Sequence, residues 1–154
     1  MRRLVLVGVV AAVAMLQPAT AACQAAHAEA TAWTATAAAG SGVRGEPGTA
    51  VITLTARGGF HVNEEYPLSF RPTAVPALGL AKQRYGKADG LVLEPCAAGS
   101  KDACTATLPV AFTPTATGTL TMAGTLSFSV CNPEKCLIEQ AELGVPIDVA
   151  EPEH

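Results

Sequence analysis

Aromatic residues are scarce in this chain: its 154 residues hold one Trp, two Tyr and four Phe, 5% of the whole. Charge is sparse too, at 15%, with a net charge of −3. The 49% of hydrophobic positions therefore rests largely on small side chains, 30 of them Ala, and a core must be assembled from aliphatics and those few rings. The acidic balance leaves no basic stripe to neutralise phosphates, which excludes nucleic acid as a partner. No apolar run reaches the roughly 18 to 20 residues that a bilayer span needs. Ser/His/Asp constellations, phosphate-binding loops, metal-binding His clusters and haem attachment motifs are all missing, so neither a metal nor another cofactor is expected.

What is present begins with Met1-Arg2-Arg3, an apolar run of 13 residues from Leu4 to Leu16, and small residues through Ala22. A basic start, a short apolar stretch and a small-residue end make a secretory signal peptide over residues 1–22. The protein is accordingly expected in the periplasm or otherwise exported, and loss of the signal leaves 8 basic against 13 acidic residues. Thr20-Ala21-Ala22 suits an ordinary signal peptidase, while Ala22-Cys23 resembles the end of a lipobox, with Thr20 where that motif carries Leu. Two fates are open for Cys23: lipidation, which would anchor the protein to a membrane as a lipoprotein, or removal by a cut a few residues later. Either accounts for an odd number of cysteines in an oxidising compartment.

Residues 23–42 are dominated by Ala and Thr and end in Gly40-Ser41-Gly42. Without an apolar stripe they have no helical face to bury, so they read as a tether, with Trp33 packing on the domain as part of a first strand. From Val43 the grammar changes to period two. Val51 to Thr55, Phe60 to Asn63, Leu68 to Phe70, Leu91 to Leu93, Ala106 to Phe112, Leu120 to Met122, Thr125 to Val130 and Val145 to Val149 are short β-branched or alternating segments separated by Gly and Pro. About seven strands in roughly 110 residues, with turns every 8 to 12, describe an all-β antiparallel sandwich. The domain is placed at 43–150, with a tail at 151–154.

Four cysteines remain, spaced C-x7-C (Cys96, Cys104) and C-x4-C (Cys131, Cys136). In an exported chain these read as two disulfides, although four cysteines allow three connectivities. Neither spacing matches a zinc knuckle. Along Thr125 to Cys131 the bulky Leu126, Phe128 and Val130 share one face, which predicts Cys131 on the polar, accessible face with Ser127 and Ser129. Asn132-Pro133-Glu134-Lys135 reads as a type I turn that sets Cys131 opposite Cys136. Short-range staples stabilise a sandwich only weakly, about 2 kcal/mol each by loop entropy, which tilts the reading toward chemistry for one pair. Lys135, beside Cys136, is placed to favour a thiolate. His61 is a candidate proton-transfer partner for such a thiolate, with a half-exposed strand residue as the plainer reading. Glu64-Glu65 reads as a solvated turn.

The run Gly59-Phe60-His61-Val62-Asn63, then Tyr66-Pro67-Leu68-Ser69-Phe70, Leu108-Pro109-Val110 and Phe128-Ser129-Val130-Cys131-Asn132-Pro133-Glu134-Lys135-Cys136-Leu137 resembles the N-terminal domain of DsbD-type thiol:disulfide interchange proteins. The resemblance implies an immunoglobulin-like sandwich over residues 43–149. It also implies that Cys131 and Cys136 are the catalytic exchanging thiols, with Tyr85 in Tyr85-Gly86-Lys87 as an aromatic cap over the redox pair. Cys96 and Cys104 then form a structural disulfide. Implied partners are thioredoxin-like periplasmic proteins and a separate membrane electron donor, since the chain carries no multi-span segment and no thioredoxin-like C-x-x-C domain. Leu137-Ile138-Glu139 departs from the family's aromatic after the second Cys. The expected function is thus an exported thiol:disulfide relay. The alternative is a non-catalytic immunoglobulin-like binding or scaffold module with structural disulfides.

Overall fold

Alternation decides the strands. In the computed structural model, which describes residues 27–153, the chain forms ten of them: β1 (His27–Ala30), β2 (Trp33–Ala39), β3 (Gly42–Val43), β4 (Gly48–Ala56), β5 (His61–Val62), β6 (Ser69–Pro72), β7 (Val92–Pro95), β8 (Ala103–Phe112), β9 (Gly118–Cys131) and β10 (Cys136–Ala150). One curled sheet runs β1-β2-β4-β8-β5-β9-β10-β3, with β7 added to β8 and β6 to β9. All neighbours are antiparallel except β3 and β10. The short β5 is the corner. It pairs with β8 on one side and β9 on the other, and so joins a layer built on β4 and β8 to a layer built on β9 and β10.

Between the layers lie Ile52 and Leu54 of β4, Leu108, Val110 and Phe112 of β8, Met122, Leu126, Phe128 and Val130 of β9, and Leu143, Val145 and Ile147 of β10. These are the apolar members of each period-two pattern, and the all-β, immunoglobulin-like sandwich expected from the sequence is the fold observed.

The tether does not survive. Residues 27–39 form β1 and β2, and β2 is an interior strand that pairs with β1 and with β4. Trp33, Ala35 and Ala37 are buried while Thr36 and Ala38 face solvent. The period is in the sequence, but its apolar member is Ala, which by itself carries little signal of burial. Small side chains have a consequence here: β2 and β10 approach with Cα atoms within 8 Å, closer than the ~10 Å usual for stacked sheets.

Two further boundaries move. Leu120–Met122 and Thr125–Val130 are one strand, continuous through Gly124, and the last strand starts at Cys136 rather than Val145. At Gly124 the neighbouring strand β6, with Pro72 as the register partner, and the Phe70 ring come too close for a side chain. A Cβ there would lie 2.4 Å from the Arg71 carbonyl oxygen and 2.6 Å from Phe70 Cζ. The signal peptide at 1–22 and Cys23 lie outside the described residues.

Candidate functional site

The four cysteines close as Cys96–Cys104 and Cys131–Cys136. In the second pair, Asn132 acts as a turn former. Its Oδ1 accepts from the backbone N–H groups of Glu134 (3.0 Å) and Lys135 (2.9 Å), and its own N–H donates to the Lys135 carbonyl. An Asx turn of this kind fixes the register that sets Cys131 against Cys136, with Cα atoms 4.0 Å apart, at the closely spaced position of an antiparallel ladder. In the first pair, the Cys96 N–H donates to the Asp102 carbonyl, and the Ser100 hydroxyl accepts from the Asp102 N–H, which holds the tip of the loop.

Cys131 is not on an accessible face. It is 7% exposed, and Ser129 beside it is 1% exposed. The cause is β5, which lies along the end of β9: His61 is opposite Cys131, Val62 opposite Val130, and the Asn63 N–H donates to the Ser129 carbonyl. Alternation along β9 alone gave the wrong accessibility because it takes no account of the strands that pair on either side of Cys131. Cys136, on the far side of the bond, is exposed.

Both disulfides meet the same short strand. Val62 pairs with Ala103, next to Cys104, and Cys104 Sγ lies 3.8 Å from the Phe60 carbonyl oxygen. A polar hollow of about 360 Å³ results, lined by His61, Asn63, Glu64, Lys101 and the two sulfur-bearing residues Cys131 and Cys136 among others. The structure therefore brings His61 and the tip of the Cys96–Cys104 loop to the Cys131–Cys136 bond. It does not bring Lys135, an exposed turn residue outside the hollow.

Nor does it bring Tyr85. That ring is 3% exposed in the core, its backbone pairs with Phe70, and its hydroxyl donates to the Ala111 carbonyl at 3.1 Å. Ala111 lies near the opposite end of β8 from Ala103, roughly 25 Å along the strand. Tyr85 is a core residue with its one polar atom satisfied, and it does not stand over the disulfide. The segment that does pair beside Cys131, Phe60 to Asn63, was legible as a strand; its role as a corner between two layers was not.

Fold and site together define a two-disulfide, immunoglobulin-like β module with both bridges set beside the corner strand β5. Among the described residues no group of three or more His, Cys, Asp or Glu is placed to hold a metal, and no helix is long and apolar enough to cross a membrane. No family model matches the chain, and no curated protein matches it. Among solved structures it is similar to AggA, the major subunit of aggregative adherence fimbriae type I from Escherichia coli, with a TM-score of 0.43 and 16% identity over 77% of this chain and 94% of that one. The resemblance to the DsbD family is corrected, since no family model matches the chain. Of the residues that carried the resemblance, Cys131, Asn132 and Cys136 make an Asx turn closed by a cross-strand disulfide.

Proposed function

We propose that this protein is an exported, non-catalytic binding or scaffold module whose two disulfides hold the corner strand β5 in place. The observation that carries this reading is the position of β5 between Cys131–Cys136 and Cys96–Cys104, with Cys131 buried where it pairs with β5. A sulfur that must be attacked in line by a partner thiolate needs an open approach. Here Cys131 is buried between its sheet neighbours β5 and β10, so its own sulfur is closed to attack, and attack at the exposed Cys136 would have to expel Cys131 as a buried thiolate, a poor leaving group. Each bridge instead clamps the neighbour to which β5 is bonded, β9 through the hairpin and β8 through the Cys96 loop. Disulfide bonds of this kind persist in oxidising compartments, which supports export. Lipid anchoring through Cys23 belongs to the same proposal.

The test is thiol trapping. The disulfide-intact protein is mixed with a reduced thioredoxin-like protein lacking its resolving cysteine, whose one thiolate can form a mixed disulfide only by breaking the Cys131–Cys136 bond and releasing the other cysteine as a thiolate. No stable mixed disulfide is expected from the folded protein, whereas the double variant Cys131→Ala/Cys136→Ala loses stability. Efficient trapping under native conditions would overturn the proposal.

A further inference from the structure

The chain carries more carboxylates than cations, and three of its cations are neutralised locally: Arg44 by Glu151, Arg57 by Glu29 and Lys82 by Asp89. Arg71 and Arg84 are different. Among the described residues neither guanidinium has an acidic partner within salt-bridge distance, and both line one groove of about 390 Å³ on the outer face of the β6-β9-β10 layer. Arginines left unpaired in an acidic protein, and set on the same concave surface, make a local site for a planar oxyanion, which the guanidinium fork can bond in bidentate fashion.

The floor of the groove is a polar ladder. Ser69, Ser127 and Gln140 are register partners across β6, β9 and β10, and Arg71 and Thr125 are partners in the next row. Period two places these on one face, the buried Phe70, Leu126 and Ala141 pointing the other way into the core. Hydroxyls and a carboxamide both donate and accept, which suits a ligand that does the same at many positions. Tyr66 also lines the groove. No carboxylate lines the groove. Glu142 stands at its border as the partner of Thr125, whose hydroxyl donates to Glu142 Oε1 at 2.6 Å. The groove has the size of a small-molecule site.

We infer that this groove binds an acidic saccharide, a pyranose whose carboxylate or sulfate is held by Arg71 and Arg84 and whose hydroxyls meet Ser69, Ser127 and Gln140. This deepens the reading of the protein as a binding module, yet it uses none of the cysteines, so either can fail without the other.

Calorimetric titration of the disulfide-intact protein decides it, with oligogalacturonate as the carboxylate probe, dextran sulfate as the sulfate probe, and neutral dextran, acetate and inorganic sulfate as controls. At least one charged saccharide is expected to bind, at least tenfold more tightly than dextran or the free ions, and which one binds distinguishes carboxylate from sulfate. Arg71→Ala and Arg84→Ala are each expected to weaken binding about tenfold or more. Arg44→Ala, a remote cation, leaves it unchanged, and Glu142→Gln strengthens it. Both arginines are exposed, so circular dichroism that matches the unsubstituted protein is expected from these variants. Binding of neither charged saccharide, equal binding of dextran or of the free ions, or arginine variants that match the unsubstituted protein would overturn the inference.

Discussion

Trp33 and Phe128 meet edge to face, with ring centroids 4.9 Å apart and planes at 82°. One ring comes from an Ala- and Thr-rich segment and the other from the strand that ends at the Cys131–Cys136 hairpin, so this contact ties the N-terminal strand pair to the far layer of the sandwich. Edge-to-face pairs add about 0.5 to 1.5 kcal/mol beyond the area they bury.

Trp33 is therefore a core residue, and residues 27–42 are part of the folding unit. Trp33→Ala is expected to cost about 3 to 5 kcal/mol in denaturant unfolding. Trp33→Phe should cost much less, since Trp33 Nε1 is buried with no hydrogen-bond partner and its removal deletes an unsatisfied donor. A protein beginning at Val43 loses β1 and β2 and should fail to give a cooperative transition. Cooperative unfolding of that shortened chain would return residues 27–42 to the status of a tether.

The two disulfides act on one strand. Loop entropy gives about 2 kcal/mol for Cys131–Cys136 and slightly more for Cys96–Cys104. Replacing either pair by Ala is expected to lower stability by that order. Because both bridges flank β5, the effect should be concentrated there: hydrogen exchange at the Asn63 amide, bonded to the Ser129 carbonyl, should speed up more than exchange at core amides. Uniform acceleration over the whole sandwich would contradict a local clamp.

Gly124 lets β6 and Phe70 lie against β9. A methyl group at that position meets backbone as well as the ring, so the strand cannot yield by rotating a side chain. Gly124→Ala is expected to cost about 1 to 3 kcal/mol, measured by chemical unfolding. An unchanged midpoint would mean that β6 can move away freely. In that case the groove it helps to build would not be rigid.

Asp89 links acid stability to a single turn. Its carboxylate accepts from the Lys82 ammonium and from the Gly86 backbone N–H, and both hold its pKa below the ordinary 3.8. A carboxyl group with a lower pKa in the folded than in the unfolded state contributes stability that is present above pH 3.8 and disappears as pH falls through the folded value. Lys82, raised above 10.5 by the same pair, contributes below that pH and stops contributing as pH rises past its folded value. In Asp89→Asn the dependence of stability on pH should flatten on the acid side. Curves that run parallel between pH 5 and 2 would rule out this linkage.

How much of this was written in the chain is clearest strand by strand. Ile52 and Leu54, Leu108 to Phe112, and Leu126 to Val130 announce their buried faces by bulky residues at every second position, and all of them lie in the core. The hairpin at Asn132 was legible because Asn and Pro have specific turn chemistry. Residues 27–39 were not legible as strands, since alanine carries little signal of burial by itself; only a partner strand approaching closely makes it core. The polar groove escaped notice because Arg71, Arg84 and Gln140 come from separate segments and share no spacing pattern.

The sequence by itself determined the all-β class and the Asn132 turn that sets Cys131 opposite Cys136, because alternation and turn chemistry are local properties. Only the tertiary structure decided which of the three disulfide connectivities forms, that β5 pairs beside Cys131, that Tyr85 points into the core far from it, and that Arg71 and Arg84 line one groove. Each of these depends on which segments come together in space, and pairings across the sheet are set by the packing of the whole core rather than by neighbours along the chain.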